Sequence, residues 1–170
     1  MAKLKLKIIV FVAPLFLLLS SCGVYSLSGA DIGNAKTFQV NYFRNNADIV
    51  EPGIDRTFTL ELQDLIQSQT SLGLTNQNGD LVYEGEITRY YIAPMTATAD
   101  SQAAQNRLTI AINVRFYNNL DPEKDFEQRF SHYYDYPATQ QLVGGTLDTA
   151  LEEIYSKITQ EIFNKSLTGW

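Results

Sequence analysis

The sequence holds one cysteine, one histidine and one tryptophan in 170 residues. A single cysteine leaves no partner for an internal disulfide, so the fold must stand on its core. With one histidine, His132, a multi-histidine metal centre is excluded. Long apolar runs are also missing: the longest, Ile8 to Leu19, is interrupted by Pro14 and falls short of the roughly 20 residues a membrane-spanning helix needs. Positive charge is scarce, with 13 Lys and Arg against 19 Asp and Glu and a net charge of −6. That sign opposes binding to a phosphate backbone, which excludes nucleic acid as a partner. Internal repeats and low-complexity tracts are absent, while glycine and proline contents suit an ordinary globular domain.

What is present begins at the N-terminus. Lys3, Lys5 and Lys7 precede the short apolar run, and small residues follow it, the layout of a secretory signal. The segment Leu19-Ser20-Ser21-Cys22 resembles the bacterial lipobox. There the small side chains let the chain lie extended in the peptidase, and the thiol takes a diacylglyceryl group as a thioether. Cys22 is therefore expected to be the first residue of the mature chain and to carry lipid. A lipobox cysteine receives two or three acyl chains, enough for anchoring that is in effect permanent. Residues 1–21 are expected to be removed as signal, with 22–35 forming the lipidated N-terminus and tether and 36–170 one α+β domain. Loss of the three lysines makes the mature chain more acidic still. Gly23 stands where an Asp would favour inner-membrane retention, and no acidic cluster follows. Both point to the outer membrane, with the body facing the periplasm.

Along the domain, Lys36 to Phe43 alternates with Phe38, Val40 and Tyr42 on one face, as a half-buried strand does. From Asp55, a candidate N-cap, to Gln69 the period becomes helical: Phe58, Leu62, Leu65 and Ile66 form one stripe, and Glu61 and Asp64 face away from it. Asn78-Gly79 is a two-residue hairpin signal. A strand from Leu81 to about Ile92 follows, with Leu81, Tyr83, Ile87 and Tyr91 on one side; Gly85 marks a bulge or a close approach. Asn106 to Asn118 places Leu108, Ile110, Ile112, Val114 and Phe116 on one face, each stabilising by about 1.5–3 kcal/mol when fully buried. Lys124 to Tyr136 is the last strand. Leu147, Leu151, Ile154, Tyr155, Ile158 and Ile162 then mark a closing helix. The order β-α-β-β-β-α predicts an α+β fold in which two amphipathic helices pack on one face of a four-stranded, mostly antiparallel sheet, leaving the other face polar.

Catalytic chemistry finds little support. His132 falls by alternation on the core side with Phe130 and Tyr134, and no nucleophile-elbow pattern surrounds any serine. Glu84 and Glu86 project from one strand face, as a solvated face also would. Asp121, Glu123 and Asp125 lack the glycine and late glutamate of a calcium loop, and Gly144-Gly145-Thr146 lacks the lysine of a phosphate loop. No catalytic residue, metal or cofactor is expected.

A surface stands out instead. Arg107, Arg115 and Arg129 project from the outward sheet face and are candidate contacts for anionic groups. Cross-strand pairing with Glu84, Glu86 or Glu127 is the competing reading. Arg89 falls by parity on the apolar side and is expected to snorkel. The long connection Pro94 to Gln105, small in side chain, reads as a mobile or binding element.

The segments "CGVYSLSG", "FQVNYFRNNADIVEPG" leading into "FTLELQDLI", "GDLVYEGEITRYYIAP", "NRLTIAINVRFYN" with "DFEQRFSHYYDY", and "LEEIYSKITQEIFNKSLTGW", in this order behind a lipobox, resemble the LPS-assembly lipoprotein family LptE in its Bacteroidetes-type form. The resemblance spans Cys22 to Trp170. It implies two helices against a small sheet, no enzyme activity, and a plug inside the lumen of an LptD-type outer-membrane β-barrel. Such a plug assists barrel assembly and the delivery of lipopolysaccharide to the outer leaflet. Only Cys22 carries over as a motif position. Two other readings remain at this stage: a free-standing periplasmic lipid-binding lipoprotein, and a membrane-anchored hydrolase using Ser131 or Glu84.

Overall fold

The computed structural model describes residues 29–95 and 104–168. The lipobox, Cys22, Trp170 and most of the 94–105 connection lie outside them. Eight elements follow in order: β1 (Thr37–Val40), β2 (Arg44–Asn45), α1 (Ile54–Gln69), β3 (Gly73–Leu74), β4 (Leu81–Met95), β5 (Gln105–Asn118), β6 (Phe126–Pro137) and α2 (Gly145–Leu167). A single 3-10 turn at Pro122–Lys124 joins β5 to β6.

The α+β class and the two helices agree with expectation, but the sheet has six strands rather than four. Its order is β3-β1-β4-β5-β6, with β2 also on β4. It is mixed: β1 pairs in parallel with both β3 and β4, and β2 in parallel with β4, while β4-β5-β6 form an antiparallel meander. Two-residue strands carry no readable alternation, which is why β2 and β3 escape a periodicity argument. The hairpin expected at Asn78-Gly79 does not form. Asn78 does take a positive φ of 53°, yet β1 inserts between β3 and β4. The Asp80 carboxylate fastens that insertion by accepting the Lys36 and Thr37 N–H groups at 2.9 and 3.0 Å and the Thr37 hydroxyl at 3.0 Å. These bonds, the Lys36 N–H first, hold its carboxyl below the usual range.

Both helices cover one sheet face. The inward residues of β5 from Leu108 to Phe116 are all buried. Phe58 of α1 sits between Phe43 and Tyr155 of α2, with ring centroids 5.0 and 5.2 Å away in edge-to-face geometry. Reaching Phe58 breaks the first expected strand. The chain kinks after Val40, so Phe43 rather than Tyr42 enters the core; Tyr42 is 55% exposed. The Phe43 N–H donates to the Thr59 hydroxyl at 3.2 Å. Asp55 is not the N-cap of α1. Gly53 holds that position at φ 85°, and Asp55 lies in the first helical turn, where its charge favours the helix dipole.

Glu61, expected on the solvent side of α1, is half-buried. Burial first, then Glu152 and Asp64, push its carboxyl from 4.5 up to about 7. A raised carboxyl pKa means that ionisation opposes folding. The penalty is absent below the unfolded value, grows as pH rises from about 4.5 to 7, and is complete above that. Glu61→Gln is expected to stabilise the protein by about 1 kcal/mol at pH 8, after allowance for solvent screening, and by little at pH 4.5. Urea melts at the two pH values check this; an equal gain at both would show that the carboxyl is not strained.

The fold has two opposite ends. At one, the incoming chain is tied beside the end of α2: the Asp31 N–H donates to the Leu167 carbonyl at 2.5 Å, and Asp31 pairs with Lys124 of the β5–β6 turn at 3.7 Å. At the other, β4 ends at Met95 and β5 begins at Gln105. The 15 residues of β4 separate these ends by about 50 Å at 3.3 Å per residue.

Candidate functional site

The outward sheet face, opposite the helices, gathers the residues that the sequence singles out. Its lower half is an ion-pair network. Arg115 of β5 donates through Nε to Glu84 at 3.2 Å and through both terminal nitrogens to Glu86, at 3.3 and 3.0 Å. Asn41 donates to the other Glu84 oxygen at 3.1 Å, and Asn113 bridges Glu86 and Glu127 at 3.2 and 2.7 Å. The Arg115 bond lowers the Glu86 carboxyl pKa, and the two glutamates raise that of the guanidinium. Arg115 is therefore filled from within the sheet, as the cross-strand reading allows. Glu127, its partner in register, bonds Asn113 instead.

Arg107 is filled as well, by a residue that alternation alone does not single out. Its Nε and Nη2 reach both oxygens of Asp135 at 2.7 and 2.8 Å, and this fork holds the aspartate carboxyl below its usual range. The signal was available in the turn: once β5 and β6 are fixed by Phe116 opposite Phe126, Arg107 must oppose Asp135. Arg129 is exposed and has no ion pair among the described residues. The three arginines thus share a face but do not converge on one anion.

The upper half of this face depends on a bulge. The β4–β5 register shifts between Ile87 and Arg89, leaving Thr88 as an extra residue whose hydroxyl donates to the Ala111 carbonyl at 3.2 Å. Parity reverses there, so Tyr90 rather than Tyr91 enters the core, where burial raises its phenol to about 12. Arg89 and Tyr91 turn outward instead of lying on the apolar side. The Arg89 guanidinium carbon lies 4.6 Å from the Tyr91 ring centroid, and that of Arg107 lies 3.6 Å from the Tyr133 centroid.

The residues of the hydrolase reading are kept apart. Ser131 and His132 are neighbours on a strand, so they point to opposite faces. The Ser131 hydroxyl donates to the Ile110 carbonyl at 3.1 Å, while His132 Nε2 meets Glu161 of α2 at 2.8 Å. Among the described residues, no cluster of His, Cys, Asp and Glu could hold a metal ion. Among the described residues, grooves open to solvent include three. Two, of about 330 and 240 Å³, lie at the tether end around Asp31, Lys124 and Ser166. The third, of about 290 Å³, lies by Asn41, Arg44 and Glu84. Among the described residues, no helix is long and apolar enough to cross a membrane.

The chain is similar to known proteins in two ways. A family model described as "LptE: Lipopolysaccharide-assembly" matches residues 35–166. The fold is similar to that of CT253 from Chlamydia trachomatis, with a TM-score of 0.53 and 9% identity over 78% of this chain and 98% of that one. A PelC dodecamer subunit from Paraburkholderia phytofirmans gives 0.48 and 6% over 81% and 92%, and a minor lipoprotein from Acinetobacter baumannii 0.46 and 9% over 78% and 96%. At such identities only the first speaks to anything, and only to fold. No curated protein matches.

Proposed function

Given that this chain belongs to the LptE lipopolysaccharide-assembly family, we propose that it is an outer-membrane lipoprotein, anchored through Cys22, which assembles with and fills the lumen of an LptD-type β-barrel. In that position it helps pass lipopolysaccharide to the outer leaflet. The observation that carries the reading is the family match across the whole folded body. The geometry suits it. The interior of a wide membrane barrel is polar, and its strands are fully paired, so an occupant needs a rigid body with a polar surface. The outward sheet face, closed by Arg115 with Glu84 and Glu86 and by Arg107 with Asp135, offers such a surface. Among the described residues, the grooves lie beside charged side chains, Asp31 and Lys124 at the tether end and Arg44 and Glu84 by β2. The work is binding, not bond making.

The tether enters at one end, and the β4–β5 connection leaves from the other. In this reading the acyl chains hold the first end at the inner leaflet, while the sheet face and the connection meet barrel wall and cargo. Affinity purification from detergent-solubilised outer membrane is expected to return a barrel at one copy per copy of this chain. A photo-crosslinker at Asn113 or Arg129, or in the 94–105 connection, is expected to capture that barrel. Purification of the chain alone, with no barrel crosslink from any position, would refute the plug.

A further inference from the structure

The upper outward face carries two tyrosines in a symmetrical setting. Tyr91 of β4 and Tyr133 of β6 both pair with Thr109 of β5, so they stand on one rung, about 9.6 Å apart at two strand spacings. They are 47% and 49% exposed. The floor between them is the half-buried Thr109 side chain, with the short side chains of Ala93 and Ser131 on either side. Guanidinium groups of Arg89 and Arg107 lie against the two rings. The result is a shallow slot flanked by two phenols, each with a guanidinium over one face, with a hydroxyl-bearing floor and one carboxylate at its edge.

The chemistry of the slot selects among ligands. A phosphate would have to displace Asp135 from a two-point fork on Arg107, a charge-assisted pair of the strong kind. An acyl chain would leave Thr109, Arg89 and Asp135 facing hydrocarbon, at a cost for each polar group. A pyranose ring suits this setting: its C–H face stacks on the phenol face that each guanidinium leaves open, and its hydroxyls bond the Thr109 hydroxyl, the Arg89 N–H groups and the outer lone pairs of the Asp135 carboxylate. We propose that the Tyr91–Thr109–Tyr133 slot is a saccharide subsite that takes sugar rings of an oligosaccharide. The assignment rests on the lipopolysaccharide-assembly reading, because that cargo carries sugars; within it, Arg107 backs a tyrosine rather than clasping a phosphate.

Saturation-transfer NMR on the full mature chain in detergent tests this, with delipidated oligosaccharide released from lipopolysaccharide by mild acid as the probe. Transfer to sugar protons is expected, falling at least fivefold in Tyr91→Ala and in Tyr133→Ala. It should be unchanged in Tyr117→Ala, on the same face at its other end. Thermal melts of all three variants are expected to match the parent, since each side chain is exposed. Absence of transfer in the parent, or equal transfer in the slot variants, overturns the subsite, as does transfer to lipid A micelles with none to the oligosaccharide. Both slot variants should still co-purify with a barrel. Loss of the barrel with an intact fold would assign the slot to the barrel wall and overturn the saccharide. Loss of sugar binding with the barrel retained leaves the assembly reading standing.

Discussion

Cys22→Ala is expected to abolish fatty acylation of this chain outright. The thiol is the only nucleophile of its kind in the sequence, and serine or the α-amino group cannot form the thioether that precedes cleavage. The consequence for anchoring follows from chain arithmetic. Each buried methylene contributes about 0.8 kcal/mol, so one myristoyl-sized chain holds marginally and two hold in effect without release. With no described helix able to cross a membrane, the acyl chains are the proposed anchor. Metabolic labelling with palmitate and intact-mass measurement check the outcome. The parent should begin at Cys22 with acyl mass added; the variant should carry no label and keep its signal. Label that persists on the variant, or a parent with a bare thiol, would end the lipoprotein reading.

Gly85→Ala is expected to destabilise the domain by about 3 kcal/mol, the upper end for overpacking a well-filled core. A β-carbon at Gly85 would overlap the Asn113 carbonyl oxygen on β5 and press to 2.7 Å from the Phe43 ring. Neither neighbour can yield cheaply. Asn113 belongs to the β4–β5 ladder, and Phe43 is locked edge-to-face on Phe58. The strand glycine is therefore a point where β4, β5 and the kinked segment after β1 close on one another. Denaturant melts of the purified domain measure the loss. A change below about 1 kcal/mol, within the range where cores repack freely, would mean that Phe43 moves aside and that the kink is softer than its contacts indicate.

Gly85 also shows where a one-dimensional reading stops. Its position in an alternating strand signals either a bulge or a close approach. The structure has both, but the bulge is three residues on, at Thr88, where nothing in the local sequence announces it. That displacement decides the candidate site. It turns Arg89 and Tyr91 onto the outward face, so the tyrosine slot exists only because β4 carries one residue more than β5 can match. The arginines show the same division. That Arg107 and Arg115 face outward follows from alternation; that Asp135 and the Glu84–Glu86 pair fill them depends on register across strands. Glu61 was legible as a helix-surface residue, yet the approach of α2, bearing Glu152, makes it a strained carboxyl.

Neighbouring residues alone carry the lipobox signal at Cys22, the two helical stripes, the long antiparallel strands, and a polar face opposite the helices. Each is written in adjacent residues, through periods of 2 and 3.6 or a contiguous motif. The parallel insertion of β1, the short strands β2 and β3, the kink that admits Phe43, the bulge at Thr88, and the pairing of the charges emerge only in the folded chain. Those features depend on contacts between residues tens of positions apart, whose energies outweigh local preference and leave no periodic trace along the chain.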